Sequence, residues 1–185
     1  MVKVIDDLSP KLYFNKLKYL LGGNPDKDIN EKSKFNWFWN DFTSSDGKGN
    51  AIDNNFMFTH VIWNSGTANQ SPYFETFCPI VYFISQHIPV KDVVRIKLNL
   101  YTNQNKKIIH AKHVDINDTK TNKPLENCNI TVLNLTTCNG GTIVKDKEYI
   151  SKANQAITFD NHTEHQGFTQ TDTSRRIVIN IATTH

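Results

Sequence analysis

His113-Val114-Asp115, followed downstream by His165-Gln166-Gly167 and then by Ser174-Arg175-Arg176-Ile177-Val178-Ile179-Asn180, is the part of the chain whose reading decides the fold. Side chains two apart on an extended strand point to the same face, so His113 and Asp115 can grip one ion together. His165 would approach that ion from a later strand of the same barrel. Two neutral imidazoles and one carboxylate fill one face of an octahedron and leave adjacent positions open. That donor set favours redox-active Fe(II) over a closed structural zinc site.

Around this stretch the chain alternates short apolar runs with turn signals. Val2 to Ile5 reads as a strand. Ser9-Pro10 reads as an N-cap with Pro in the first helical turn, and Leu12, Phe14, Leu17, Leu20 and Leu21 follow at helical spacing until Gly22-Gly23. Asn24 to Lys34, Ser44 to Asn50 and Asn64 to Ser71 are polar and loop-like. Trp37-Phe38-Trp39 is the densest aromatic cluster. Phe56 to Trp63 reads as a strand, and Pro79 to Ile84 begins a second apolar helix or buried segment before Pro89. Asp92 to Tyr101 alternates as a strand. If Tyr101 faces inward, Asn99 and Lys97 do as well. Ile108 to Val114 carries the first metal motif, and Asp118 to Asn127 is a surface loop. Ile130 to Leu135 is a strand, Asn139-Gly140-Gly141 a hairpin-type turn, and Thr142 to Val144 extended again. Ala156 to Phe159 leads to the second metal motif, and Arg176 to Thr183 is the last strand. The pattern predicts a mainly β fold with flanking helices, a barrel or jelly roll in a single domain over 1–185. Helical support falls roughly in 1–90 and the metal-binding core in 91–185.

Composition bounds the function. The 185 residues are 38% hydrophobic and 21% charged, as in a soluble globular protein. No apolar run reaches membrane-spanning length, which argues against a membrane partner. The N-terminus has no long apolar leader, so a cytoplasmic location is expected. Cys78, Cys128 and Cys138 form no CxxC and are expected to be free thiols. A net charge of +3, with acids and bases mixed, gives no basic stripe and argues against a nucleic-acid partner.

The order His-x-Asp, then His-x-Gly, then Arg opening a β-rich terminal strand resembles the Fe(II)/2-oxoglutarate-dependent dioxygenases. It is most similar to their prolyl-4-hydroxylase-like branch, in the small form found in phages and large viruses. Val4-Ile5-Asp6-Asp7, Phe35 to Trp39, Arg95 to Tyr101 and Arg176 to Asn180 look like blocks of that branch. The resemblance implies a double-stranded β-helix with His113, Asp115 and His165 as iron ligands. The His-x-Gly pattern selects His165 over His162, and only His113, not His110, has Asp two residues on. His60 is expected to be structural or at a rim, and His87 and His185 to lie at the surface.

The same resemblance implies Fe(II), 2-oxoglutarate and O2, with ascorbate as a candidate accessory reductant. The far carboxylate of 2-oxoglutarate needs a buried cation, and an Arg fork can bind it through two hydrogen bonds. Arg175 and Arg176 are neighbours on a strand, so one faces inward. In similar sequences the inward Arg is followed four places later by a polar residue; Arg176 puts Asn180 there and Arg175 would put Ile179, so the resemblance implies Arg176 as the inward one. Tyr101 matches a family Tyr lining the cosubstrate pocket. Where related hydroxylases often carry a Tyr for the far carboxylate, this chain has Val132, which throws that work onto Arg176, with Thr131 or Asn180 helping. The implied reaction consumes O2 and 2-oxoglutarate, releases succinate and carbon dioxide, and hydroxylates an unactivated C–H bond. A prolyl or peptidyl substrate is expected, with the aromatic cluster and the two polar loops near it walling the entrance. The alternatives are the same chemistry on a nucleobase or free metabolite, and a non-catalytic jelly-roll binding protein.

Overall fold

The computed structural model describes residues 1–22, 35–45, 51–67 and 71–185. The polar stretch at 24–34, residues 46–50 of the first loop and 68–70 of the second lie outside the described residues. In chain order the elements are β1 (Lys3–Ile5), α1 (Lys11–Gly22), β2 (Phe38–Asn40), β3 (Met57–Asn64), α2 (Phe74–Phe77), α3 (Pro79–Ser85), β4 (Val93–Thr102), β5 (Cys128–Asn134), β6 (Gly141–Val144), β7 (Lys147–Ile150), β8 (Ala156–Asp160), β9 (His165–Phe168) and β10 (Arg175–Thr184). Seven strands form one sheet in the order β1-β8-β5-β10-β4-β3-β2, and β7-β6-β9 form a second. All pairings are antiparallel. This is a jelly roll, as expected, though the first ninety residues contribute three strands to the large sheet as well as the helices.

β10 lies at the centre of the large sheet and is buried on both faces, which is why its middle reads almost continuously apolar. Its alternation separates two cores. Ile177, Ile179 and Ile181 join Ile96, Leu98 and Leu133 under the helices. Val178 and Ala182 point the other way, with Ile130, Val132, Ile157 and Phe159, into the space between the sheets. On the helix side α1 offers Phe14, Leu17 and Leu21, a stripe at i, i+3 and i+7, and α3 offers Ile80 and Ile84. Each such aliphatic side chain contributes about 1.5–3 kcal/mol when taken fully out of water. Leu12, expected in the stripe, is exposed. Ser9 does not cap the helix: its hydroxyl donates to Asn154 Oδ1 at 2.9 Å, tying the N-terminus to the loop before β8.

One turn assignment changes. Asn139-Gly140-Gly141 carries the chain from one sheet to the other and is not a hairpin turn, since β5 and β6 do not pair. Gly141 is required by crowding: a Cβ there would collide with the Tyr149 carbonyl. The true hairpin joins β6 to β7 through Lys145-Asp146, both in the left-handed region at φ 51° and 61°. The stretch from Ile108 to Val114 and on to Asp115, whose metal motif is expected on extended strand, makes only isolated bridges, including Ile109 to Phe168 and His113 to His165. Among the described residues no helix is long and apolar enough to cross a membrane.

Candidate functional site

The strand registers build a cavity between the sheets. On β10 the inward residues Arg176, Val178 and Asn180 stand opposite Tyr101, Asn99 and Lys97 of β4. On the small sheet Thr142 stands opposite Gly167, and Val144 opposite His165. The resulting cavity, about 100 Å³, is lined by these groups, Val144 excepted, with Val132, Met57, Arg95, His113, Asp115 and the segment Phe42 to Ser45. A water needs only about 10–15 Å³ of such space, so the cavity admits a small ligand.

At one end His113, Asp115 and His165 each offer one donor atom, and these lie within 4.8 Å of one another. The bridge between His113 and His165 explains the meeting: each backbone N–H donates to the other's carbonyl at 3.0 Å, which sets the two imidazoles side by side. Their rings lie 4.6 Å apart. His165 Nε2 is 3.1 Å from Asp115 Oδ2. Arg95 Nη2 donates to Asp115 Oδ1 at 2.8 Å, and Asn180 Nδ2 to Oδ2 at 2.9 Å. Burial alone would raise the Asp115 pKa. The charge and hydrogen bond of His165, with Arg95 and His113, outweigh it and hold the carboxyl well below its ordinary range. Burial, then the neighbouring His165, lowers the His113 pKa. His113 Nδ1 sits 3.1 Å from the Ala111 carbonyl, to which it can only donate, so its Nε2 lone pair is the free one. This donor set, two imidazoles and an ionised carboxylate, fits a divalent metal such as Fe(II).

At the other end Arg176 is 2% exposed. Its Nη2 reaches Thr142 Oγ1 at 3.2 Å and Asn134 Oδ1 at 3.5 Å, and its guanidinium lies 5.5 Å from the Tyr101 ring centre. Nε has no partner, and no carboxylate pairs with Arg176 among the described residues. Arg175 is exposed and donates to the Gly22 carbonyl. Tyr101 packs against His110, ring centres 5.2 Å apart, and burial raises its pKa. Gly167 leaves room for that histidine: a Cβ there would stand 3.0 Å from His110 Nδ1.

Other expectations sort themselves by position. Asn180 lines the cavity but serves Asp115 and Arg95, four residues along β10 from Arg176. Thr131 is turned to the opposite face, where its hydroxyl pairs with Thr158 at 2.9 Å. Thr142, from the other sheet, takes the place beside Arg176. His162 lies outside the cluster, pairing with Asp160 and Glu126 at the surface. His60 is buried, bonded to the Asn36 carbonyl and the Ser71 hydroxyl. Trp37 packs on Phe35 in the helix-side core, and Trp39 stacks on Phe56. Neither lines the cavity; Phe42 to Ser45, just after them, does. The sequence pattern did not point to Arg95, Thr142 or Asn134 as site residues, and Ser44, expected in a loop at the substrate entrance, lies beside His113. Arg95 alone carried a signal, sharing the period of Lys97, Asn99 and Tyr101. Cys78, Cys128 and Cys138 are free.

No family model matches the chain, and no curated protein matches it in sequence. Its jelly roll is nonetheless similar to that of solved 2-oxoglutarate- and Fe(II)-dependent oxygenases. An oxidoreductase of the 2OG-Fe(II) oxygenase family from Burkholderia pseudomallei superposes with a TM-score of 0.68 at 11% identity, over 100% of this chain and 85% of that one. The viral collagen prolyl hydroxylase of Paramecium Bursaria Chlorella virus-1, in its 2OG complex, gives 0.56 at 11% identity over 100% and 96%. A prolyl hydroxylase from Trichoplax adhaerens, in complex with a hypoxia inducible factor peptide fragment, gives 0.57 at 10% identity over 99% and 83%. At these identities the likeness is one of fold.

Proposed function

We propose that the chain is an Fe(II)- and 2-oxoglutarate-dependent dioxygenase that hydroxylates an unactivated C–H bond of a peptide, proline foremost. One observation carries the reading. A buried arginine, without a counter-charge among the described residues, shares a cavity with a His-Asp-His cluster. A buried guanidinium is costly unless paired, so this end of the cavity is complementary to an anion. A ligand with one carboxylate for Arg176 and a chelating group for the metal satisfies both ends, and 2-oxoglutarate has that form. His113, Asp115 and His165 would hold the iron, which when bound supplies the oxidising chemistry. Arg176 orients the far carboxylate, with Thr142 and Asn134 beside it. Tyr101, Val132 and Val178 wall that end and keep water from it. Arg95 and Asn180 fix the Asp115 carboxylate in its ionised form. The peptide assignment draws support from the prolyl hydroxylases among the structural neighbours and from the absence of a basic stripe in the sequence.

The test is anaerobic titration with Fe(II) and 2-oxoglutarate, then exposure to oxygen with proline-rich peptides, oligonucleotides and free proline. Succinate formation and a gain of one oxygen on a peptide are expected. Changing His113, Asp115 or His165 to Ala should abolish both metal binding and succinate formation. Activity that survives His165→Ala but not His162→Ala would overturn the ligand set, and oxygen gained by the oligonucleotide but no peptide would overturn the substrate.

A further inference from the structure

The cavity holds more positive charge than a metal site and a cosubstrate anchor use. Its lining includes three cations, Arg95, Lys97 and Arg176, against one carboxylate, Asp115. Arg95 is paired with Asp115. Arg176 stands at the far end. Lys97 is half-buried and, among the described residues, makes no hydrogen bond or ion pair. Burial, then the charge of Arg95, lowers its pKa to about 8, with Asp115 opposing. A lysine that could reach solvent or a carboxylate at no cost would not be kept inside the lining.

Its place in the register separates Lys97 from the arginine. Lys97 stands opposite Asn180 on β10, whereas Tyr101 stands opposite Arg176. Four residues of strand, about 13 Å, divide the two levels. On its other side Lys97 stands opposite Val61 of β3, which is exposed. The amine therefore belongs to the metal end and to the side of the cavity nearer solvent, not to the closed end that Arg176 occupies.

We propose that Lys97 recognises a carboxylate on the primary substrate, so that the oxidised carbon belongs to a free amino acid or to a peptide residue beside an acidic side chain. The inference rests on the dioxygenase reading above and narrows its substrate class. The physical reason is specificity: a substrate lacking the anion leaves Lys97 desolvated and unpaired, while one carrying it gains a charge-assisted bond. Arg95 is less suited to the task because its guanidinium is engaged on Asp115 and Asn180.

The test is equilibrium binding to the protein loaded with zinc in place of iron and saturated with 2-oxoglutarate, so that nothing turns over. The probes are acetyl-Ala-Pro-Asp-amide against acetyl-Ala-Pro-Asn-amide, and free proline against prolinamide. In each pair only a carboxylate distinguishes the members. An acid should bind tenfold or more tightly than its amide in one of the pairs, and which pair shows it identifies the source of the carboxylate. Lys97→Met should remove that preference and Lys97→Arg should retain it. The absence of any acid-over-amide preference up to millimolar probe, from equal binding or from none, overturns the inference. So does a preference that survives Lys97→Met. A loss of 2-oxoglutarate affinity in Lys97→Met with the substrate preference intact also overturns it, since the amine would then serve the cosubstrate. Zinc and 2-oxoglutarate binding, measured first in the same samples, report separately on the dioxygenase reading.

Discussion

The two ends of the cavity are built on opposite principles. At the metal end most polar atoms are engaged before any ligand arrives. Arg95 holds both the side chain and the carbonyl of Asp115, Asn180 holds its second oxygen, and Ser44 and Ala111 hold His113. Among the described residues the fully buried atoms without a partner there are Arg95 Nε and His165 Nδ1, beside the half-buried Lys97 amine. At the other end a guanidinium is buried with one hydroxyl at 3.2 Å, one amide at 3.5 Å and the face of a tyrosine. A metal site needs donors fixed in position, so its supports are complete. An anion anchor needs unspent hydrogen-bond donors, so its supports are few. The difference turns on which end must be pre-set and which must stay unsatisfied until the ligand binds.

The largest break in that comparison comes from the unsatisfied end. Arg176→Ala should weaken 2-oxoglutarate binding by about 2–5 kcal/mol, as expected when one partner of a buried charge-assisted pair is removed. Metal binding in the absence of 2-oxoglutarate should be nearly unchanged. Arg175→Ala, its exposed neighbour, should alter 2-oxoglutarate affinity by less than about 0.5 kcal/mol, as surface substitutions do. Anaerobic titration of both variants decides it. Equal losses would place the anchor elsewhere and dissolve the contrast between the ends.

The next effect concerns the packing behind Tyr101. Burial lowers the His110 pKa from 6.5 to about 4, with Asp53 opposing and Arg176 and His113 reinforcing it. The folded protein thus binds this proton less readily than the unfolded chain. Its contribution to stability is complete above pH 6.5 and is lost as pH falls from there toward 4, by up to about 3 kcal/mol. His110→Phe keeps an aromatic ring beside Tyr101 and removes the titration. Urea unfolding between pH 4 and 7 should show a shallower loss of stability in the variant. An identical pH slope would show that His110 is not kept neutral by its surroundings.

Much of this architecture was legible in the sequence, and the misses share a cause. Periodicity placed Lys97, Asn99 and Tyr101 on one face and showed that only one of Arg175 and Arg176 faces inward, because a strand's alternation is local; the choice of Arg176 came from the family resemblance. The Gly140-Gly141 pair misled because glycine answers two needs, a left-handed backbone and a close approach. Here Gly141 serves the second, against Tyr149, while Lys145 and Asp146 make the turn without any glycine. Thr142 was invisible as a partner of Arg176 because it belongs to the other sheet, and nothing in either strand's pattern tells which residues face each other across a cavity. Thr131, the alternative to Asn180 as a helper of Arg176, sits next to the inward Val132; strand neighbours cannot both face inward, and Thr131 pairs with Thr158 instead. Arg95 was missed as a support for Asp115 because their meeting depends on the irregular path of 108–117 across the strand ends.

The smallest effect tests how complete the supports at the metal end are. Ser44 lies on the wall segment that precedes β3, and its hydroxyl sits 3.1 Å from His113 Nδ1 and 3.1 Å from the Ala111 carbonyl. It holds the Nδ1 edge of the imidazole and leaves Nε2 as the atom free to bind a metal. Removal of a group that orients a metal-bound histidine commonly costs 10–100-fold in metal affinity. The Ala111 carbonyl remains to accept from Nδ1, so Ser44→Ala should fall at the lower bound, about tenfold, or about 1.4 kcal/mol. Competition between the protein and a chelator for Zn(II) measures this directly and does not depend on turnover. Affinity for 2-oxoglutarate at the Arg176 end, measured with metal saturating, should stay within twofold, because Ser44 touches nothing there. Unchanged metal affinity would mean that Ala111 alone sets the imidazole. A parallel loss of 2-oxoglutarate affinity would mean that the two ends are coupled through the wall, and that the cavity behaves as one site.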